Sequence, residues 1–198
     1  MPRAFLLLLL VPAALGAEAR SFRIGAFYQG DVALVNRYYD FGRAAQGGGA
    51  IITWDFFGPL GAEFAVAASA TDRKPYLRVP PSHLFPAHRL QLPVTAALTS
   101  AADLGPVTVY TLAGGGLYVE RYRFAEAEVE PVLETGPLGI WGAGIRVQLP
   151  GRFYVEFSPR YFHLGGKEFL SMEAGDDRHY SDGHADKITL FLGAGFTL

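Results

Sequence analysis

The chain has 198 residues, of which 50% are hydrophobic, 14% aromatic and only 18% charged, with a formal net charge of -2. That length suits one domain, the charge balance removes the electrostatic case for a nucleic-acid partner, and no apolar run after the N-terminus is long enough to cross a bilayer as a helix. Cysteine is absent, which excludes a lipidated-cysteine anchor and a disulfide scaffold together.

Residues 1–19 carry the marks of a secretory signal: Arg3, an apolar stretch from Ala4 to Leu15, and Ala17-Glu18-Ala19 as a small-x-small cleavage site. Cleavage after Ala19, with Ala17 as the second choice, leaves residues 20–198 as the mature domain. Pro12 and the shortness of the run argue against an uncleaved anchor.

From there apolar residues recur two apart, the period at which a strand presents one face. The first strand, near Phe22 to Gln29, sets Phe22, Ile24, Ala26 and Tyr28 against Arg23, Gly25, Phe27 and Gln29. A polar, Gly-rich connection from Asp31 to Gln46 leads to a second strand with Gly48, Ala50, Ile52, Trp54 and Phe56 outward. Gly58-Pro59-Leu60-Gly61 has tight-turn chemistry, because proline presets one backbone angle and glycine accepts the strained ones. The third strand returns at once, with Ala62, Phe64, Val66 and Ala68 outward and Glu63, Ala65, Ala67 and Ser69 inward. A long Pro-rich connection, Thr71 to His88, precedes a fourth strand built on Leu90, Leu92, Val94, Ala96 and Leu98.

Asp103-Leu104-Gly105-Pro106 is the second short turn. The fifth strand, Val107 to about Tyr122, places Thr108, Tyr110, Leu112, Gly114, Gly116, Tyr118 and Glu120 on one face, and its length carries its far end above a bilayer. Glu126, Glu128, Glu130 and Glu134 crowd a solvated connection. The sixth strand sets Trp141, Ala143, Ile145, Val147 and Leu149 against Gly142, Gly144, Arg146 and Gln148, and Pro150-Gly151 makes the third short turn. The seventh opposes Phe153, Val155, Phe157 and Tyr161 to Tyr154, Glu156, Ser158, Arg160 and Phe162, with Pro159 expected to weaken or bulge the pairing. A final loop, Gly165 to Asp186, leads into Lys187–Leu198, where Ile188, Leu190, Leu192, Ala194, Phe196 and Leu198 share a face.

Short and long connections alternate. The pattern therefore predicts an all-β fold, a closed antiparallel eight-stranded transmembrane β-barrel with short periplasmic turns, long extracellular loops and both ends on the short-turn side. The apolar set faces lipid, and the Gly-, Ala- and Thr-rich set behind it faces a narrow lumen. Inward charges then fall at two depths: Arg23, Asp55, Glu63, Arg146 and Glu156 in the periplasmic half, and Glu120, Arg160 and Lys187 toward the outer end. Charges in a filled interior persist only when paired, so these residues are expected to form a network that plugs the lumen. Arg121 shares the outward face, where a cation at mid-bilayer costs ~2–4 kcal/mol, so it is expected beyond the hydrocarbon. Phe22, Tyr28, Trp54, Phe56, Trp141, Phe153, Tyr161 and Phe196 sit near strand ends, as interfacial girdles do.

Gly193, Phe196 and Leu198 are spaced as glycine, two further residues, then aromatic or apolar residues two apart, a C-terminal pattern that resembles the assembly signal of outer-membrane barrels, which places a polar residue two before the glycine. On these residues and the strand pattern the chain resembles the small outer-membrane β-barrel superfamily of the OmpA, OmpX and OmpW types, over essentially the whole mature length. Phe191 stands where that signal has a polar residue, and Leu198 where phenylalanine is commoner. The resemblance implies residence among outer-membrane lipid and delivery by periplasmic chaperones to the barrel-assembly machinery.

Some relatives of this architecture modify lipid A or phospholipids, which requires a base within hydrogen-bonding reach of a nucleophile. The candidates Ser158, His163 and Glu168 do not supply it, because Ser158 and His163 have opposite register, and no His-x-Ser pair is present. Asp176, Asp177, His179, Asp182, His184 and Asp186 match neither an Asp-x-Asp-x-Asp-Gly loop nor a His-Glu-x-x-His helix, and read as solvated loop. His83 and His88 lie among prolines without acidic neighbours. The expectation is a non-enzymatic barrel without cofactor or metal, serving envelope structure or surface interaction, with any extracellular ligand met by the loops. The alternatives are a narrow OmpW-like channel for small apolar solutes, with its lining thinned by Gly114, Gly116, Gly142 and Gly144, a lipid-modifying outer-membrane enzyme, and a soluble lipocalin-like barrel with the apolar face turned inward.

Overall fold

A computed structural model describes residues 21–33, 45–71, 77–79, 83–85, 87–124, 132–165 and 184–198. The signal-like segment 1–19 lies outside them. The described strands are β1 (Ser21–Ala33), β2 (Gln46–Phe57), β3 (Leu60–Thr71), β4 (Leu77–Val79), β5 (His83–Phe85), β6 (Ala87–Leu104), β7 (Val107–Phe124), β8 (Val132–Gln148), β9 (Phe153–Gly165) and β10 (His184–Thr197). Eight of them close into an antiparallel barrel in the order β1-β10-β9-β8-β7-β6-β3-β2, while β4 and β5 pair as a separate hairpin.

Gly58, Gly105 and Gly151 take the tight turns at φ of 50°, 70° and 82°, a region where a Cβ is strained. The ring is sealed by the β1–β10 ladder, which runs from Arg23 opposite Thr197 to Ala33 opposite Lys187. At the short-turn end the Leu198 N–H donates to the Phe22 carbonyl and the Thr197 N–H to the Arg152 carbonyl, both at 2.8 Å.

Alternation sends apolar side chains outward on every barrel strand. Phe64, Leu98 and Leu192 are 55%, 64% and 61% exposed, whereas Glu63, Glu120 and Arg160 are buried. A soluble barrel has the reverse arrangement, and monomers in water rarely expose a continuous apolar patch beyond a few hundred Å². Strands β6 and β7 have 18 residues each, more than the roughly 9–11 that cross a bilayer.

Several boundaries differ from the sequence-based expectation. Asp31, expected to open a loop, lies inside β1, because Thr189 and Lys187 on the neighbouring strand take its carboxylate. Glu134, expected in the acidic connection, lies in β8 opposite Glu120. The β4–β5 hairpin sits within what reads as a plain Pro-rich loop. Pro159 keeps its register on both sides: Leu190 faces it in β10, and β8 pairs Gly142 with Arg160 and Ile145 with Phe157 without a shift. Between those pairs the Ser158 hydroxyl donates to the Ala143 carbonyl at 3.0 Å. The expected weakening is thus a local break with no bulge.

Candidate functional site

The lumen is the candidate site, because strand alternation delivers every buried charge among the described residues to it. Near the short turns, Arg23 Nη2 pairs with Asp55 at 2.6 Å and Nη1 donates to Ser21 Oγ at 2.8 Å. Arg146 of β8 donates to Glu156 of β9 through Nε at 3.0 Å and Nη2 at 2.7 Å. Its guanidinium stacks on the rings of Tyr110 and Tyr154, 5.1 and 5.2 Å from their centroids. Stacking on rings suits guanidinium, which is planar and weakly hydrated.

Arg160 behaves differently from the outer-end group in which its depth had placed it. Its Nη1 pairs with Glu63 Oε1 and its Nη2 donates to Glu63 Oε2 at 3.2 Å, with Glu156 Oε1 3.6 Å away. Glu63 belongs to β3, and β9 and β3 stand four places apart in either direction round the ring. This contact therefore spans the lumen. Nε donates to Ser158 Oγ at 3.2 Å, and the charge lies 4.1 Å from the Phe191 ring centroid. Arg160 leaves the outer group for two reasons. Its length carries the charge away from its own Cα, and the Glu120 carboxylate is taken by Arg89 and Gln91.

Toward the long loops, Lys187 Nζ donates to Asp31 at 2.6 Å and also to Gln91 Oε1. Gln91 Nε2 donates to Glu120 at 2.5 Å, and Thr189 Oγ1 to Asp31 at 2.7 Å. Since β10 and β6 are again four places apart, Lys187 makes a second crossing. Phe162 lies 5.3 Å below its charge, and Phe27, Phe191 and Phe162 form a ring cluster, with centroid spacings of 4.5 and 6.2 Å. Asp31, Arg89 and Gln91 are members that sequence reasoning missed. Asp31 lies two residues beyond Gln29 in the inward period of the first strand, and Arg89 and Gln91 alternate with Leu90 and Leu92 in the fourth.

Several inward glycines lie against large side chains of other strands. A Cβ on Gly25 or Gly195 would stand 2.5 or 2.7 Å from the Tyr154 hydroxyl, and one on Gly144 would collide with the Tyr110 ring. Backbone without side chains on one strand thus receives a large ring from another. Gly142 and Gly144, expected to thin the lining of a channel, are covered by Arg160 and Tyr110.

Of the other candidates, Ser158 is buried and committed to Ala143 and Arg160, while His163 is partly exposed on the opposite register and Glu168 lies outside the described residues. Asp176, Asp177, His179 and Asp182 also lie outside them, and His184 and Asp186 open β10. Gly193, Phe196 and Leu198 occupy the short-turn end of the last strand, where Phe196 packs on Phe153 with centroids 4.5 Å apart. Trp141 stacks on Tyr161 at 4.1 Å on the outer surface, farther from the short turns.

The sequence matches no protein-family profile and no curated protein. Solved structures share the fold. The outer membrane protein OprG from Pseudomonas aeruginosa superposes with a TM-score of 0.67 at 15% identity, covering 92% of this chain and 98% of that one. Ail, the attachment invasion locus protein of Yersinia pestis, solved with the heparin analogue sucrose octasulfate, gives 0.55 at 17% identity, covering 90% and 97%. The N-terminal β-barrel domain of Pseudomonas aeruginosa OprF gives 0.52 at 13% identity, covering 92% and 100%. The chain has the fold of the small outer-membrane barrels.

Proposed function

We propose that the chain is an integral outer-membrane protein, non-enzymatic, whose lumen is closed to solutes by its own side chains and whose role in envelope structure or surface interaction is carried by its long loops. The observation that carries this reading is the double crossing of the lumen, Arg160 to Glu63 and Lys187 to Gln91, beneath an outer surface of exposed Phe64, Leu98 and Leu192. A buried charge stripped of its partner is costly, so a path for solute past either crossing demands a compensating charge. The outward apolar band suits hydrocarbon, and loops are where variable binding chemistry is displayed on a rigid scaffold. A surface-interaction role has a precedent for this fold in the Yersinia pestis attachment protein.

Planar-bilayer recording tests the closed lumen. The unmodified protein is expected to show no stable openings, and the double variant Arg160→Ala/Lys187→Ala discrete ones. Stable openings in the unmodified protein overturn the proposal. Extraction only by detergent, with heat-modifiable gel migration, is the expected membrane signature, and release by osmotic shock overturns it.

A further inference from the structure

Four strand arginines, Arg23, Arg89, Arg146 and Arg160, face inward and each holds a carboxylate. Two others do the opposite. Arg121 and Arg123 of β7 stand exposed on the outer surface, two residues apart on one face. Their ladder neighbours are Leu90 and Leu133 for Arg121 and His88 for Arg123, so no carboxylate occupies a described ladder position beside them. His88 is exposed as well.

Apolar side chains flank Arg121 in the ladder and continue below it toward the short turns. Leu117, Leu133 and Leu90 are 65%, 65% and 40% exposed, and Leu92 continues the band toward the short turns. The outward cations thus stand at the upper margin of the outward leucines. Residues two apart on a strand lie about 7 Å from each other, close enough for two guanidinium groups to grip a single tetrahedral anion. Guanidinium is the side chain best shaped for phosphate oxygens, and an imidazole beside it adds one more donor.

We propose that Arg121, Arg123 and His88 form an outer-leaflet site for a phosphate-bearing anionic lipid, whose headgroup lies on the cations while its acyl chains lie along Leu90, Leu117 and Leu133. The site rests on the outer-membrane reading and names one lipid class for that surface. Charge and apolar area are arranged along the barrel wall in the order in which such a lipid presents them. A soluble phosphate compound would use the arginines and leave the leucines unused.

The test uses the full chain folded in neutral detergent, with binding of phosphatidylglycerol followed by native mass spectrometry. Phosphatidylcholine and glycerol 3-phosphate serve as comparison ligands. The unmodified protein is expected to prefer phosphatidylglycerol over both. Arg121→Gln and Arg123→Gln each weaken it about fivefold. Arg152→Gln, the same charge change at the exposed short-turn end, is expected to leave it unchanged. Equal weakening by Arg152→Gln, equal binding of phosphatidylcholine, or full retention in the double arginine variant overturns the site. Glycerol 3-phosphate binding as tightly as the lipid overturns the lipid assignment. If the double variant fails to fold, Arg123→Gln alone decides. A chain that never enters detergent micelles contradicts the membrane reading itself, a result distinct from loss of lipid preference.

Discussion

Arg160 and Glu63 tie together opposite walls of the barrel, from strands four places apart, and both are almost wholly shielded from solvent. Removing one member leaves the other charged and unpartnered in a low-dielectric interior. Arg160→Met is therefore expected to destabilise by ~3–5 kcal/mol, and Glu63→Gln/Arg160→Met to recover most of that loss. Urea unfolding in lipid vesicles, followed by gel mobility, measures both. Equal destabilisation by the single and double variants would show that the bridge is not the source.

Tyr154 reaches two glycines at once, so its neighbours are sensitive to added carbon. Gly25→Val is expected to cost ~1–3 kcal/mol through overpacking. Tyr154→Phe, which removes the hydroxyl nearest the new Cβ, recovers part of it. The temperature of the heat-modifiable mobility shift reports each change.

Leu192 is exposed on the outer face of the last strand. Its replacement by arginine is expected to cost ~2–4 kcal/mol in a bilayer, against ~0–1 kcal/mol for Leu198→Arg near the interface. Vesicle unfolding titrations measure the difference. In a water-soluble barrel both would be near neutral, and that result contradicts the membrane reading.

Phe196 has two separable attributes, its ring contact with Phe153 and its place in the proposed assembly signal. Phe196→Ala and Phe153→Ala both remove the contact. Only Phe196→Ala is expected to slow assembly by the barrel-assembly machinery several-fold, read from the appearance of the compact gel species over time. Equal slowing by both assigns the effect to packing alone.

The strands and their faces were legible because a period of two is written locally: Phe22 to Gln29 and Phe153 to Phe162 reveal which side chains share a face without knowledge of neighbours. Which charges meet was not legible. That depends on which strands stand across the ring and on how far a long side chain reaches, so Arg160 reads by height as a companion of Lys187 yet binds Glu63. Asp31 follows Gly30, a pair with turn chemistry, and it is held as a strand residue by Lys187 and Thr189, over 150 positions away, and by the Ala45 carbonyl, which accepts from its N–H. Phe191 departs from the polar preference of the assembly signal and has a structural role of its own, since its ring carries the Arg160 charge.

The ladder that joins β1 to β10 pairs the first and last strands of the chain's described barrel. Neighbouring hairpins such as β6–β7 can zip from their own turns, but Asp31 and Lys187 belong to the two strands that meet last in sequence. Until that seam shuts, an anion and a cation are stranded on separate edges. Closure therefore pairs Asp31 with Lys187 and removes the two free strand edges together.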